Sequence, residues 1–182
     1  MKFSPSYLAG LFDGEGCIFI ARRMPRRTMI VPYYMLTASI NMCHRPLIEA
    51  LAQEFDCNVC THRKDLKNTK HSAAYEILFA SNRAKTFIEL IYDEMIVKKE
   101  QARLALIFQE NLNAYRGKFL YMSRPEQEVL TAWRERVRLQ VKALKKQTPI
   151  GALDWNVGEL GGPPMPGLED EARKDNTEPS GD

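Results

Sequence analysis

The chain has 182 residues, 45% of them hydrophobic, enough for one globular domain with a sizeable core and too apolar for a disordered chain. Its formal net charge is +3, but residues 148–182 hold eight acids and two bases, a net of −6, which leaves +9 on residues 1–147. No apolar run approaches bilayer length, and Met1–Pro5 does not read as a signal peptide, so a soluble, intracellular protein with a polyanionic partner is expected.

The first element is a helix. Ser4 suits its N-cap and Pro5 its first turn, and Gly14 and Gly16 punctuate an end expected at about Asp13. Ala9 and Gly10 keep one face of it nearly flat, which fits close approach by another backbone. Asp13 and Glu15 sit at the C-terminal end, where the helix dipole disfavours carboxylates. Two acids against that field suggest a cation site.

A strand is expected from Cys17 to Met24, then a basic turn with Arg22, Arg23, Arg26 and Arg27 around Pro25. A second strand runs from Pro32 through Met42. Its alternation puts Tyr33, Met35, Thr37, Ser39 and Asn41 on a polar face and Tyr34, Leu36, Ala38 and Ile40 on an apolar one. A helix follows from His44-Arg45-Pro46 to about Phe55. Strands are expected from Val59 to Arg63 and from Ala73 to Phe79, joined by a loop carrying Lys64, Lys67 and Lys70. Ser81 or Asn82 caps the next helix, which reaches about Tyr92. The order αββαββα predicts an α+β fold, a four-stranded antiparallel sheet backed by helices.

Two more helices complete residues 1–147. One is expected from Ile96 to about Tyr115. The other starts at the capping box Ser123-Arg124-Pro125-Glu126 and reaches about Lys146. The last buries a stripe of Val129, Leu130, Trp133, Val137, Val141 and Leu144. Arg134, Arg136, Arg138, Lys142, Lys145 and Lys146 mark a basic face fit for a phosphate backbone. Residues 148–182, with Gly161–Gly167 rich in glycine and proline, read as an acidic and mostly disordered tail. Cys57 and Cys60 have C-x-x-C spacing near His62 and His44, but no second ligand pair at regular spacing favours zinc over reduced thiols.

Leu8 to Gly16 reads LAGLFDGEG and resembles the LAGLIDADG motif of homing endonucleases, seven of nine letters if Glu15 counts for the motif's second aspartate. Phe12 and Gly14 are the departures. The resemblance implies a site-specific double-strand DNA endonuclease with a long target, encoded in an intron or intein. Its alternative is a relative of the same fold, an RNA maturase binding its host intron or a non-catalytic DNA-binding regulator. One motif rather than two implies a homodimer on a roughly palindromic site, with Ala9, Gly10 and Asp13 at the helix pairing. The eighth motif position, Glu15, is implied as metal ligand and catalytic acid for Mg²⁺, with Mn²⁺ as its substitute and the Gly14 carbonyl beside it. Lys98, three positions before Gln101-Ala102, matches the family's catalytic lysine, with Lys99 as fallback. Asn41, rather than the adjacent Met42, is implied as the polar residue that positions water, and His44 and Arg45 are nearby basic candidates. The sheet's polar face would enter the major groove, with Arg22, Arg23, Tyr33, Thr37, Ser39 and Arg63 as DNA contacts.

Overall fold

Period-two and period-3.6 apolar patterns alternate along the chain, and they fold as a sheet with one face under helices. The computed structural model describes residues 2–24, 31–62 and 73–145, all within one compact unit. The basic turn at Arg26 and Arg27, the loop from Arg63 to Lys70 and the acidic tail lie outside the described residues. The elements are α1 (Pro5–Glu15), β1 (Gly16–Arg23), β2 (Tyr33–Met42), α2 (Arg45–Glu54), β3 (Val59–His62), β4 (Ala74–Ala80), α3 (Asn82–Ile91), α4 (Lys99–Ala114) and α5 (Arg124–Lys145), with a 3-10 turn at Phe119–Tyr121. This is the expected αββαββα order with two further helices. The sheet order is β1-β2-β4-β3, every neighbouring pair antiparallel.

Register assigns the faces. Ile18 and Ile20 pair with Ala38 and Leu36, and Ile40 and Ala38 pair with Ile77 and Phe79. These side chains are buried and form the helix-covered face. Phe12, Phe55, Phe79 and Phe87 close it at one end, with Phe79 and Phe87 stacked at 4.3 Å and Phe12 edge-on to Phe87 at 5.4 Å. Tyr34 against Phe108 of α4 continues it at the other end. Burying a side chain such as Phe12, Leu36 or Ile77 contributes about 1.5–3 kcal/mol each.

The first helix runs past its expected end at Asp13, to Glu15, with Ser4 Oγ accepting from the Tyr7 N–H at 3.2 Å. Gly14 is therefore helical, not a terminator. Gly16 caps the helix, its N–H donating to Phe12 O, with extended backbone that any residue can adopt. Glycine is needed there for space: a Cβ would lie 2.3 Å from the Phe12 ring and 2.4 Å from the Phe12 carbonyl.

The expected start of α4 at Ile96 is corrected to Lys99. Residues 96–98 are held out of the helix by an acid on α1. Asp13 Oδ2 accepts the N–H groups of Ile96 and Val97 at 2.8 and 3.0 Å, and Oδ1 accepts that of Lys98 at 2.9 Å. Lys98 Nζ also donates to the Asp13 carbonyl. Asp13 thus receives the donors that precede α4 and ties its start to the foot of α1. Burial alone would raise the Asp13 pKa, but these three N–H groups and the Lys98 charge outweigh it and hold the carboxyl below its ordinary 3.8.

Two other expectations change. Arg134, expected on the basic face of α5, is only 6% exposed. Its guanidinium lies 5.0 Å from the Phe119 ring and its Nε donates to Asn111 Oδ1, and burial lowers its pKa to about 10. Val129, expected in the buried stripe, is 57% exposed, while Leu130, Trp133, Val137 and Val141 are buried as expected. No helix among the described residues is long and apolar enough to cross a membrane.

Gly16→Ala should destabilise the fold by about 1–3 kcal/mol, read as a lower urea midpoint, because the Phe12 ring or carbonyl must shift. Asp13→Asn should cost about 1–3 kcal/mol by weakening the charged acceptor of three N–H groups. Because the folded pKa of Asp13 is depressed, its contribution is present above pH 3.8 and is lost as pH falls through the folded value. Wild-type stability should therefore drop in that acid range more than that of Asp13→Asn, measured by chemical denaturation across pH.

Candidate active site

The candidate site is the corner where α1 ends, β1 begins and α4 starts. Glu15 is the last residue of α1 and is exposed. Pairing of β1 with β2 begins at Gly16↔Ile40, so Asn41 follows directly at the same end of the strand pair, exposed. Lys98 comes in from the N-cap of α4, half-buried, and the charge of Glu15 acts on it. Three of the residues singled out in the sequence, Glu15, Asn41 and Lys98, thus share one end of the sheet.

Electrostatics in this corner are balanced between opposing effects. Burial presses the Lys98 pKa down. Asp13, Cys17 and Glu15 pull it up, and Lys145 presses it down again, with a net lowering. The ammonium therefore gives up its proton more readily than a surface lysine. Lys99 turns elsewhere: its Nζ donates to Asp93 O at 3.1 Å and sits over the Tyr92 ring. His44 is the N-cap of α2, its Nδ1 accepting from Leu47 N–H at 3.2 Å, and Arg45 pairs with Glu49 at 2.7 Å. Neither reaches into the corner through those contacts.

In the sequence Lys145 belongs only to a generic basic face. The structure brings it to this corner from the end of α5, with Nζ 3.0 Å from Cys17 Sγ. No spacing in the sequence links residues 128 positions apart.

Among the described residues no three His, Cys, Asp or Glu side chains converge on one point. Glu15 makes no hydrogen bond or ion pair among the described residues, so its carboxylate is available. A hard, oxygen-seeking ion that keeps several waters and takes one or two carboxylates fits such a donor set. Gly14 lies in the same last turn, exposed, so its carbonyl belongs to the set by position. Cys57 and Cys60 do not form a metal pair. Cys57 faces Phe55 O and Arg83, whereas Cys60 pairs in register with Glu76 on the open sheet face.

The open face carries Cys17, Phe19, Ala21 and Arg23 of β1, and Tyr33, Met35, Thr37, Ser39 and Asn41 of β2, by alternation and register. Arg23 and Tyr33 are exposed on it. Arg22 is not: it shares the helix-covered face with Tyr34, and both approach Glu135 of α5, at 3.9 and 3.0 Å. Thr37 and Ser39 have the expected face but are only 1% and 3% exposed, being short side chains in a central strand, with Phe19 beside Thr37 and Leu78 beside Ser39. The Thr37 hydroxyl is buried with no hydrogen-bond partner among the described residues. Phe19 and Leu78, 38% and 41% exposed, are open-face residues that polarity alone did not single out. Arg63 lies outside the described residues.

The outer face of α1 also differs from expectation. Ala9 is 0% exposed and points into the core with Leu8 and Phe12. Gly10 and Gly14 are exposed, and a Cβ on either would meet nothing within 4 Å. They lie four residues apart, one above the other on the helix, with Tyr7 on the same side. Asp13 commits its carboxylate to residues 96–98 of its own chain, leaving Ile96 and Val97 beside it 85% and 70% exposed.

No protein-family model and no curated protein matches the chain. Solved structures do. The homing endonuclease I-CvuI in complex with the I-CreI target is similar with a TM-score of 0.53 at 14% identity, covering 79% of this chain and 93% of I-CvuI. The archaeal intron-encoded homing endonuclease I-Vdi141I, complexed with DNA, gives 0.55 at 16% identity over 85% of this chain and 89% of its own. The LAGLIDADG homing endonuclease I-GzeII, in complex with a DNA target, gives 0.57 at 15% identity over 75% of this chain, which spans only 44% of I-GzeII. The helix bearing LAGLFDGEG, the sheet order and these likenesses agree: the chain has the LAGLIDADG homing-endonuclease fold.

Proposed function

We propose that the protein is a site-specific double-strand DNA endonuclease that hydrolyses phosphodiesters with a divalent metal, and that it acts as a homodimer. The observation that carries this reading is the corner itself. An acid with no partner among the described residues, Glu15, and a half-buried lysine, Lys98, stand at one end of an open sheet face in a basic domain. Glu15 is not needed to pack the helix that delivers it, and Lys98 is anchored to α1 through Asp13. The solved structures of the same fold include I-Vdi141I and I-GzeII bound to DNA, and I-CvuI with its DNA uncleaved in the presence of Mg.

Glu15, with the Gly14 carbonyl, would hold Mg²⁺, and Mn²⁺ has the same preference for oxygen donors. Bound there, the ion would lower the pKa of water and stabilise charge on the leaving oxygen. Lys98 supplies a fixed positive charge at the phosphate, strengthened by its partial exclusion from water. Asn41, at the end of β2, orients the attacking water by hydrogen bonding. Arg23 and Tyr33 contact DNA from the open face. Thr37 and Ser39 lie too deep to lead that contact. Arg22 acts instead to hold α5 through Glu135.

The dimer reading rests on α1. The exposed Gly10 and Gly14 permit close helix approach, and Tyr7, Ile96 and Val97 surround them with exposed apolar surface. Gly14 takes the place that Ala9 was expected to have. The chain matches nearly the full length of I-Vdi141I and less than half of I-GzeII, which supports one copy of the fold per chain. Two copies about a dyad bring two Glu15 residues together and match a roughly palindromic target.

Glu15→Gln should abolish Mg²⁺-dependent cutting of DNA carrying the uninterrupted insertion site of the host gene while retaining Ca²⁺-supported binding, followed by gel assays of both. Normal cutting by this variant would remove Glu15 from the mechanism. Gly10→Leu should keep a folded monomer, since nothing lies within 4 Å of its Cβ, yet shift sedimentation from dimer to monomer. An unchanged dimer in that variant would place the interface elsewhere.

A further inference from the structure

The last helix has a path that packing alone does not explain. At Glu135, α5 is on the helix-covered side of the sheet, where Glu135 Oε2 accepts from the Tyr34 hydroxyl at 3.0 Å and lies 3.9 Å from Arg22. Ten residues later Lys145 touches Cys17, which belongs to the opposite, open face. The helix therefore runs antiparallel along β1, and the Lys145 side chain reaches round the strand's edge to the open face. The helical rise over ten residues, about 15 Å, matches the five-residue span from Arg22 back to Cys17, about 17 Å. The final turn thus brings Lys145 to the corner that holds Glu15.

The partner found there is a poor one. A thiol is a weak acceptor for an ammonium, and the Lys145 side chain is exposed. Lys98 already faces the same thiol, so two cations converge on it and repel one another. The acids that face this pair are Glu15 and Asp13, and Asp13 is committed to residues 96–98. If Glu15 holds a metal, the two ammonium groups share no free acid. Two lysines gathered on one cysteine sulfur, beside a metal site, describe a place suited to a multiply charged anion.

We propose that Lys145 is a catalytic residue of the endonuclease, donating to the DNA phosphate that Glu15 and Lys98 face, with Cys17 Sγ marking where its ammonium rests when DNA is absent. The proposal rests on the endonuclease reading above. On binding, Nζ leaves the sulfur for a phosphate oxygen, and no covalent bond of the protein changes. A lysine in the last turn of a helix also complements the helix dipole, and that structural role is the competing explanation.

The test compares wild type, Lys145→Ala, Lys145→Arg and, as an exposed lysine away from the corner, Lys118→Ala in the full chain. Binding of a random-sequence duplex in Ca²⁺ is measured over a series of KCl concentrations, and cutting of the insertion-site DNA is measured in Mg²⁺ under single-turnover conditions. The slope of log K against log salt should become shallower in Lys145→Ala by about 0.9 for each phosphate no longer neutralised, while Lys145→Arg keeps it. The cutting rate at saturating protein should fall by on the order of a hundredfold in Lys145→Ala, with the melting temperature little changed and Lys118→Ala near wild type. Unchanged slope and rate in Lys145→Ala would overturn the proposal. So would an equal loss in Lys145→Arg with a lowered melting temperature, which is what a capping role predicts. If wild type binds the duplex but cuts nothing, the endonuclease reading fails and the slope alone decides whether Lys145 meets a phosphate. If wild type does not bind the duplex, both readings fall.

Discussion

One carboxylate fixes the relation between the motif helix and the rest of the chain. Asp13 accepts three successive N–H groups, from Ile96, Val97 and Lys98, and its own carbonyl receives the Lys98 ammonium. Those N–H groups precede α4 and would otherwise face water or go unpaired. An acid at the end of α1 is unfavourable to its own helix dipole, but it answers the positive start of another helix. The apparent misplacement in the sequence is thus resolved between two elements rather than within one. It also aims Lys98, since a side chain whose backbone N–H and ammonium are both held by one residue has little choice of direction.

The same latch explains what the sequence did and did not disclose. The order of helices and strands was legible because each carries its own period, and the motif marked the first helix. The start of α4 was not, because the acid that unwinds residues 96–98 lies more than 80 positions away in the chain. The outer face of α1 is misjudged through its end: a helix closed at Asp13 leaves Gly14 no face to share with Gly10, and Ala9 fills that role instead. Arg22 needed the strand register, which assigns it to the side of Tyr34 and Glu135. Arg134 followed the charged side of a helical wheel, yet the wheel does not show that Phe119 and Asn111 cover that side. Periodicity reports solvent and core, and it is silent about a cation housed between a ring and an amide.

Strand β1 would be an exposed edge of the sheet, with a row of free backbone groups open to another chain. Helix α5 runs along that edge, tied at Arg22 and Tyr34 by Glu135, with Lys145 of its last turn reaching Cys17. Its buried stripe of Leu130, Trp133, Val137 and Val141 contributes to the packing, and Arg138 in turn holds Glu135 at 2.6 Å. One element therefore guards an edge and carries a cation to the end of the sheet where α1 meets β1.

The long separations in this corner have a consequence for biosynthesis. Glu15 is made early, Lys98 midway and Lys145 at the close of the last helix, with contacts that span 85 and 128 residues. Ordering such distant segments is slow relative to forming local helices, because loop closure must precede any gain from contact. A nascent chain still on the ribosome can fold α1 and the first hairpin, but it cannot assemble the full set of charges. The three charges cannot come together until synthesis has passed residue 145.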